Sequence, residues 1–324
     1  MSMKALERHL LPLMPYLKKD GVTEICINRP EELFVERGGE FTRHEVAELE
    51  YPFLETIAAL VAEFNSKDFP VPIVSGSLLN GERIQFVMPP ATEAGRIVCS
   101  IRRHQRRDMS IDDLVRNGAF DNLAVRHGHA GDVDQRLAEL HRNHDMPSFI
   151  KLAVVSRKNI LICGGTGTGK TTFLNACLKY VPETERLITV EDTREVVTYQ
   201  PNSAHLLFNE EDKQIAALNI FKACLRLRPD RIFLSELRGH EVWPYLRAAN
   251  SGHPGSLSTV HADSPEGAIT QLVFMMQQAG STSSEEQIRN YIKSIIHVVI
   301  QLKRDADPVR FMRVDEVWFG ISDG

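Results

Sequence analysis

The order of hydrophobic and polar positions changes in character along the chain. In residues 1–104, helical spacing of apolar residues alternates with short runs in which every second residue is apolar. Residues 53–64 place their apolar side chains on one face of a helix. Residues 22–28 alternate like a strand, and residues 33–41 surround Gly38-Gly39, which predicts a hairpin. We therefore expect a smaller N-terminal α+β domain over residues 1–104.

From residue 147 onward, short and uniformly apolar runs alternate with segments of helical spacing. Three runs predict buried strands, namely Ile160–Cys163, Leu187–Val190 and Ile232–Leu234. Strands of this kind, alternating with helices, are typical of a parallel sheet covered by helices. We expect an α/β domain over residues 147–324. Near its end, Ser283 and Glu286 predict a capping box, and residues 297–302 and 311–319 predict an antiparallel hairpin.

Between the two predicted domains lies a segment, residues 105–146, with few large apolar residues. It is rich in charged residues, glycine and histidine. This composition is typical of a linker that carries one or two helices rather than of a packed core.

The composition of the chain disfavours several classes of protein but does not identify one. The chain has 324 residues, 43% of them hydrophobic and 25% charged, which is enough to bury a large core without a metal or disulfide. Its five cysteines form no Cys-x-x-Cys pair, so we expect reduced core residues. A net charge of -5 disfavours direct nucleic-acid binding. Because neither a signal peptide nor a membrane-spanning run is recognisable, we expect a cytoplasmic protein.

The most specific chemical signal is a glycine-rich loop directly after the first apolar run of the second domain. It matches the pattern G-x-x-x-x-G-K-[ST] at every position. The residues predicted to bind a nucleotide are Gly164, Gly165, Thr166, Gly167, Thr168, Gly169, Lys170, Thr171 and Thr172. Glycines allow backbone N–H groups to surround phosphates, and the N-terminus of the next helix favours an anion. Lys170 should reach the β and γ phosphates and Thr171 should bind Mg²⁺, so ATP and Mg²⁺ are the expected cofactors.

Carboxylates follow two of the apolar runs. Glu236 emerges where its strand ends, which is the edge at which such sheets bind ligands, and we expect it to bind Mg²⁺ or its waters. Glu191, Asp192 and Glu195 follow the strand before it. Glu191 is the first candidate for the general base that deprotonates the attacking water, and Asp192 and Glu195 are the alternatives.

A segment of glycine and histidine follows further along. His261 comes directly after the apolar run Leu257–Val260, at the predicted exit of a strand. An imidazole near a γ phosphate can sense whether that phosphate is present. The competing interpretation is a histidine with a purely structural role in the core or at the surface.

Taken in order, these segments resemble the secretion-ATPase superfamily of hexameric traffic ATPases. The segments are GGTGTGKTT, ITVEDTREV, LRLRPDRIFLSELRG and SGHPGSLSTVHADSP, preceded by GVTEICINRPEELFVE, NGERIQFVMPP and SIRRH. The type IV secretion branch fits best, because the chain has no four-cysteine zinc module such as type II secretion and pilus-assembly ATPases usually carry. Pilus-retraction motors are similar in length and are the nearest alternative within the superfamily. The sequence departs from the family at Ser235, where glycine is common.

The resemblance implies roles for individual residues. It implies that Lys170, Glu191 and Glu236 take part in catalysis and that His261 is a phosphate sensor. It also implies that arginines of the N-terminal domain reach the nucleotide phosphates. The positions that match these arginines are Arg83 and Arg102, with Arg103 as a competing choice.

The resemblance further implies a RecA-like P-loop ATPase domain with a mostly parallel sheet, assembled into a homohexamer. Such a ring would power type IV secretion, which covers protein or DNA transfer, pilus biogenesis and conjugation. Its partners would be other cytoplasmic and inner-membrane components of the machine, with peripheral membrane association. Two other functions stay open: a soluble P-loop phosphotransferase, and a nucleic-acid-binding ATPase that uses Arg102-Arg103 and Arg106-Arg107. Whether the N-terminal domain covers its own nucleotide site or a neighbour's is also open.

Overall fold

Two sheets organise the chain, one in each predicted domain. A computed structural model describes residues 2–103, 110–116, 132–305 and 312–320. Arg106, Arg107 and residues 306–311, most of the connection between the two strands of the predicted C-terminal hairpin, lie outside the described residues. In the described part of the chain, no helix is both long enough and apolar enough to cross a membrane.

The N-terminal sheet has six strands and is antiparallel throughout, in the order β3-β2-β1-β6-β5-β4. Its elements are α1 (Ser2–His9), a 3₁₀ helix (Leu11–Leu13), α2 (Met14–Leu17), β1 (Val22–Ile27), β2 (Glu32–Arg37), β3 (Glu40–Glu45), α3 (Tyr51–Phe64), β4 (Ile73–Ser77), β5 (Arg83–Val87) and β6 (Val98–Arg102). The predicted hairpin is β2 and β3, and the predicted helix is α3. Leu54, Ile57 and Val61 of α3 are fully buried, as the helical spacing predicted.

Among its described residues, the predicted linker contains two helices, α4 (Ile111–Arg116) and α5 (Asp132–Arg142). In α5, Leu137 and Leu140 are buried in the same cluster as Phe149 of the next helix. His141 Nε2 also lies 2.8 Å from the carbonyl oxygen of Val317 in the last strand. This helix is therefore part of a packed core, in contrast to the unpacked linker that the composition indicated. Its two leucines, spaced by three, were too few to reveal an apolar face among charged neighbours.

The C-terminal sheet has seven strands in the order β13-β12-β7-β11-β10-β8-β9. Its elements are α6 (Met146–Val155), β7 (Ile160–Gly164), α7 (Lys170–Leu178), β8 (Leu187–Glu191), β9 (Ser203–Leu207), α8 (Ala217–Cys224), β10 (Arg231–Leu237), α9 (Val242–Ala249), β11 (Leu257–Val260), α10 (Pro265–Gln278), α11 (Glu285–Ile295), β12 (Val298–Arg304) and β13 (Met312–Phe319). All neighbouring strands are parallel except β12 and β13. The prediction of an α/β fold with a mostly parallel sheet is confirmed.

Helices cover both faces of this sheet, which explains its uniformly apolar strands. In β7, Leu161 and Cys163 belong to one core cluster, whereas Ile160 and Ile162 belong to another. Alternate side chains of a strand point to opposite faces, so both faces must be buried. All five cysteines of the chain are free and buried, as predicted.

The capping box of α11 lies one residue later than predicted. Ser284 Oγ accepts a hydrogen bond from the backbone N–H of Gln287 at 3.2 Å, and Gln287 Oε1 accepts one from the N–H of Ser284 at 3.1 Å. The prediction of Ser283 and Glu286 was wrong because both pairs fit the same four-residue pattern.

The two sheets meet where the segment after β5 contacts the edge strand β9. Ala91 accepts a hydrogen bond from the N–H of Leu207 at 2.8 Å, and Thr92 Oγ1 donates to the carbonyl of His205 at 2.6 Å. A second junction is the ion pair of Arg228 with Glu36 at 2.5 Å. The N-terminal domain is thus held against the sheet that carries the glycine-rich loop.

Candidate functional site

The glycine-rich loop connects the buried strand β7 to helix α7, in the order that a phosphate-binding loop requires. At Gly164 an added Cβ would lie 2.6 Å from the backbone oxygen of Leu302 in β12, so a side chain does not fit there. Gly169 precedes the first turn of α7 with φ 86°, a left-handed conformation that favours glycine. The loop can therefore turn tightly and present backbone N–H groups at the start of a helix.

Lys170 lies under this loop and is almost completely buried. Its Nζ donates hydrogen bonds to the carbonyls of Gly164 at 3.0 Å and Gly165 at 3.2 Å, and it lies 3.9 Å from Glu236 Oε1. Burial lowers the pKa of Lys170, although the charge of Glu236 opposes this effect. An ammonium group that has lost its water is stabilised by any anion that enters beside it.

A cavity of about 330 Å³ opens beside Lys170 at the carboxyl ends of the parallel strands. It is lined by residues of the loop and of three other segments, namely Thr166, Gly167, Thr168, Gly169, Lys170, Thr171, Thr172, Asp192, Glu195, Ser235, Glu236, Arg238, Thr259 and His261. We call it the P-loop cavity. The position agrees with the general rule that open α/β sheets bind ligands beyond the carboxyl ends of their strands.

Glu236 is the centre of a cluster of charged side chains in this cavity. Its Oε1 lies 2.9 Å from His261 Nε2, and its Oε2 accepts a hydrogen bond from Arg238 Nε at 2.5 Å. His261 Nδ1 lies 3.3 Å from Lys170 Nζ. Since the lysine can only donate, Nδ1 is an acceptor and Nε2–H donates to the carboxylate. The structure thus brings together three residues that the sequence separates by many positions.

Sequence reasoning missed Arg238. This arginine also donates to Asp192 Oδ2 at 2.6 Å, and so it joins the strand end of β10 to the loop after β8. Burial alone would lower the pKa of Arg238, but Glu236 and Asp192 raise it above its ordinary value through hydrogen bonds and charge. The signal for this residue was its position two residues after Glu236, because side chains two residues apart in an extended chain point to the same side.

The acidic loop after β8 brings Glu195 to the metal-binding threonine that the motif predicts. Glu195 Oε2 accepts a hydrogen bond from Thr171 Oγ1 at 3.2 Å. Asn175 of α7 holds the same loop, because its amide donates to the Glu195 carbonyl and its Oδ1 accepts from the N–H of Val197 at 2.9 Å. Glu195 and Asp192 are therefore the carboxylates of this loop that face the P-loop cavity.

Glu191, the first candidate for the base, does not line the P-loop cavity and is completely buried. Its Oε2 accepts hydrogen bonds from the backbone N–H groups of Glu195 and Val196, both at 2.7 Å. Its Oε1 accepts from Thr189 Oγ1 at 2.6 Å and from Arg194 Nη1 at 3.2 Å. A carboxylate engaged in this way closes the acidic loop, so the role predicted for Glu191 as base does not agree with its position.

Arg83 and Arg102 also lie away from the P-loop cavity. They line a second cavity, between the N-terminal sheet and the C-terminal end of α8. Arg103, the competing choice, donates to the carbonyl of Lys19 at 3.0 Å within the N-terminal domain. The structure therefore does not bring these arginines to the nucleotide site of their own chain.

The P-loop cavity has hydrogen-bond donors that suit the phosphates of a nucleoside triphosphate. Ser235 Oγ is buried in its wall with no hydrogen-bond partner among the described residues, and Lys170 bonds only to backbone carbonyls and neighbouring side chains. In the described part of the chain, no three His, Cys, Asp or Glu residues are placed to hold a metal ion. Mg²⁺ suits such a site, since it is commonly bound by one or two protein groups together with phosphate oxygens.

Fold and site together define a P-loop nucleotide-binding protein. Residues 83–316 match the family described as "Type II/IV secretion system protein". The chain is 35% identical to the type IV secretion system protein VirB11 of Bartonella quintana, over 91% of this chain and 88% of that protein. It is 34% identical to the PtlH homolog of Bordetella bronchiseptica, over 97% and 95% of the two chains.

A solved structure agrees with these relatives over almost the whole chain. The crystal structure of the VirB11 ATPase from the Brucella suis type IV secretion system, in complex with sulphate, superposes with a TM-score of 0.92 at 32% identity. The match covers 98% of this chain and 95% of that chain. The chain belongs to the type II/IV secretion system protein family, and it is an ATPase.

Proposed function

We propose that this chain is one subunit of a ring of six that hydrolyses ATP with Mg²⁺ and thereby powers a type IV secretion machine. The observation that carries the proposal is the P-loop cavity itself. Lys170, Thr171, Glu195, Glu236 and His261 line one cavity at the carboxyl ends of the strands, although they come from four separate segments. Relatives that align over nearly the whole chain are type IV secretion system proteins, which supports the same role here.

In the proposed reaction, the N–H groups of the loop and Lys170 hold the β and γ phosphates. Lys170 would exchange its hydrogen bonds to Gly164 and Gly165 for hydrogen bonds to phosphate oxygens. The negative charge of these oxygens would stabilise the buried ammonium group. Thr171 would hold Mg²⁺, with Glu236 or Glu195 reaching it directly or through water. Bound Mg²⁺ neutralises charge on the β and γ phosphates.

Glu195 is the general base that the geometry favours. Its carboxylate contacts Thr171 at 3.2 Å and lines the cavity, whereas both oxygens of Glu191 are engaged in closing the loop. Glu236 is bound to Arg238 and His261, so its charge is partly neutralised. A carboxylate with a free oxygen beside the attacking water is the better proton acceptor.

His261 is the phosphate sensor in this proposal. It lies between Lys170 and Glu236, so its two ring nitrogens contact the residue proposed to bind the phosphates and a residue proposed to reach Mg²⁺. When a γ phosphate recruits Lys170, Nδ1 loses its donor, and the ring is then free to turn its Nε2–H group from Glu236 to a phosphate oxygen. The segment that leads from β11 to α10 would then move with the nucleotide state.

Assembly and location follow from the proposed machine. A closed ring has heterologous interfaces, in which one surface of a subunit binds a different surface of the next subunit. We propose that the ring works at the cytoplasmic side of the inner membrane, against other components of the machine.

The proposal is tested by measuring phosphate release from ATP by the purified chain with Mg²⁺. We expect turnover by the natural chain and a loss of at least about 100-fold for Lys170→Ala, because the lysine contact to the transferred phosphate is removed. Thr172→Ser, a conservative change in the same loop, is the matched control. Equal turnover by Lys170→Ala and the natural chain would contradict the proposal that ATP is hydrolysed in the P-loop cavity.

A further inference from the structure

Four side chains behind the acidic loop form a closed network of hydrogen bonds. Thr189 and His205 are register partners on the neighbouring strands β8 and β9. Glu191 follows Thr189 by two residues, so both side chains point to the same face of the sheet. Arg194 completes the network from within the acidic loop and contacts both Glu191 and His205. We call these four residues the polar network.

The chemistry of its members fixes the direction of each hydrogen bond in the polar network. Arg194 Nη2 lies 2.9 Å from His205 Nε2, and this nitrogen is the acceptor because a guanidinium group can only donate. His205 Nδ1–H therefore donates to Thr189 Oγ1 at 2.8 Å, and that hydroxyl donates to Glu191 Oε1 at 2.6 Å. Arg194 Nη1 donates to the same Oε1 at 3.2 Å and closes the network. Burial lowers the pKa of His205 to about 3, and the charges of Arg194 and Arg96 act in the same direction, so the imidazole is neutral as this pattern requires.

The polar network holds the acidic loop by its backbone. Glu191 Oε2 accepts hydrogen bonds from the N–H groups of Glu195 and Val196, and Arg194 donates to the carbonyl of Val196. These bonds fix the backbone from which the Glu195 side chain reaches Thr171. A catalytic group must be held within about 0.5 Å of its productive position, so a change in this support would displace the proposed base.

Two consecutive residues of the N-terminal domain contact the polar network. Thr92 Oγ1 donates a hydrogen bond to the carbonyl of His205 at 2.6 Å, and Glu93 Oε1 forms an ion pair with Arg194 Nε at 3.5 Å. Arg194 Nε is buried and makes no hydrogen bond with a described residue, so Glu93 supplies its electrostatic partner. The segment between β5 and β6 thus reaches the residues that hold the acidic loop of the C-terminal domain.

We propose that Arg194 is a positioning residue for Glu195, and that Glu93 of the N-terminal domain holds Arg194 in place. Contact between the two domains of one chain thereby controls the general base. The inference rests on the proposed function and deepens it, because it names a regulation of that same site.

The physical basis is the cost of holding a long side chain in one conformation. The Arg194 side chain is 30% exposed, and the Glu93 contact offsets part of the entropy that its fixed conformation costs. When the N-terminal domain moves away, the hold of Arg194 on Glu191 and on the carbonyl of Val196 weakens. The Glu195 carboxylate then leaves its place, whereas nucleotide still binds to the glycine-rich loop.

The test compares steady-state ATP hydrolysis by the full chain and three variants. Glu93→Gln should lower kcat about threefold to fivefold and leave KM for ATP within about twofold, because a partly exposed ion pair contributes up to that factor. Arg194→Gln should lower kcat by at least about tenfold, since it removes charged donors to Glu191 and to the carbonyl of Val196. The double variant should lose no more than Arg194→Gln alone, because both substitutions break the same contact.

Arg29→Gln is the matched control. Arg29 lines the same cavity of about 130 Å³ as Glu93 and Arg194, but it pairs with Glu32, which Arg43 also contacts. Its loss should leave kcat unchanged. Arg194→Lys keeps a positive charge without the planar fork, so it should lose less activity than Arg194→Gln, and it replaces that variant in the comparison if Arg194→Gln does not fold.

Hydrogen exchange followed by mass spectrometry reports on the acidic loop without relying on activity. In peptides that cover residues 192–198, the backbone N–H groups of Glu195 and Val196 donate to Glu191. We expect these groups to exchange faster in Glu93→Gln than in the natural chain or in Arg29→Gln.

Three results would overturn the inference: a natural kcat in Glu93→Gln, losses that multiply in the double variant, or a fall in kcat that matches the fraction of unfolded chain under the assay conditions. The last result, measured by urea unfolding, would assign these residues to stability alone. The proposed base is tested separately by Glu195→Gln. An inactive Glu195→Gln beside a fully active Glu93→Gln would overturn only this inference, whereas full turnover by Glu195→Gln would overturn the base on which it rests.

Discussion

Around Lys170, acidic and basic side chains are linked to one another by hydrogen bonds and ion pairs. Lys170 lies 3.9 Å from Glu236, and Glu236 in turn contacts His261 and Arg238. In the proposed reaction, a triphosphate that enters the P-loop cavity would compete with Glu236 for Lys170. Nucleotide binding would thereby change the charge around Glu236, which Arg238 and His261 continue to hold.

The roles of the two glutamates in the acidic loop can be separated by paired substitutions. Glu195→Gln should bind ATP but lower kcat by about 100-fold or more, since the amide cannot accept the proton of the attacking water. Glu191→Gln should mainly lower the free energy of unfolding, by about 2 kcal/mol, because its amide N–H₂ group faces backbone donors. Steady-state kinetics and urea unfolding measure both effects. Full turnover in Glu195→Gln together with a stable, inactive Glu191→Gln would return the role of base to Glu191.

The burial of His297 predicts how the free energy of unfolding depends on pH. Burial lowers the pKa of His297 to about 4, and the charge of Lys158 acts in the same direction. Its Nδ1 accepts a hydrogen bond from the N–H of Asn159 at 3.0 Å, so the folded chain needs the neutral ring. The unfolded chain takes up the proton near its ordinary pKa of about 6.5. The folded state therefore loses stability as the pH falls from about 6.5 toward 4, by up to about 1.4 kcal/mol per pH unit.

The matched variant for this pH dependence is His297→Asn, which keeps an acceptor for Asn159 but does not titrate. Urea unfolding at several pH values from about 6.5 to 4.5 should show a steeper loss for the natural chain than for the variant. Parallel slopes for the two proteins would contradict the burial of a neutral His297.

At the level of elements, the apolar runs predicted the central strands well but missed two of the edge strands. Ile160–Gly164 and Leu187–Glu191 are buried on both faces, so their sequences are uniformly apolar. The strands β4 and β9 lie at the sheet edges, and their sequences IVSGS and SAHLL contain small and polar residues. Edge strands bury less and carry a weaker signal, which is why the sequence did not reveal them.

Which serine caps the start of α11 can be tested by substitution. Ser284→Ala should lower the free energy of unfolding by about 1 kcal/mol, because it removes the side-chain oxygen that caps the helix. Ser283→Ala is the control, since the adjacent serine does not cap. Thermal or urea unfolding of the two variants checks the difference. A larger effect of Ser283→Ala would restore the capping box that the sequence indicated.

For the whole molecule, the sequence predicted the chemistry of the nucleotide site more fully than its geometry. The glycine-rich loop was predictable because its motif is local and specific. The arginine that joins two acidic strand ends, Arg238, and the buried role of Glu191 depend on how distant strands meet, which no local pattern records. The same holds for Arg83 and Arg102, whose place depends on the packing of the two domains.

The proposed function rests on a ring of six subunits. The most direct measurement is the mass of the natural chain by light scattering, with and without a non-hydrolysable ATP analogue and Mg²⁺. We predict a particle of six chains, each of 36.6 kDa, that is more stable with the nucleotide. A monomer under all conditions would contradict the ring and favour a soluble phosphotransferase with the same P-loop.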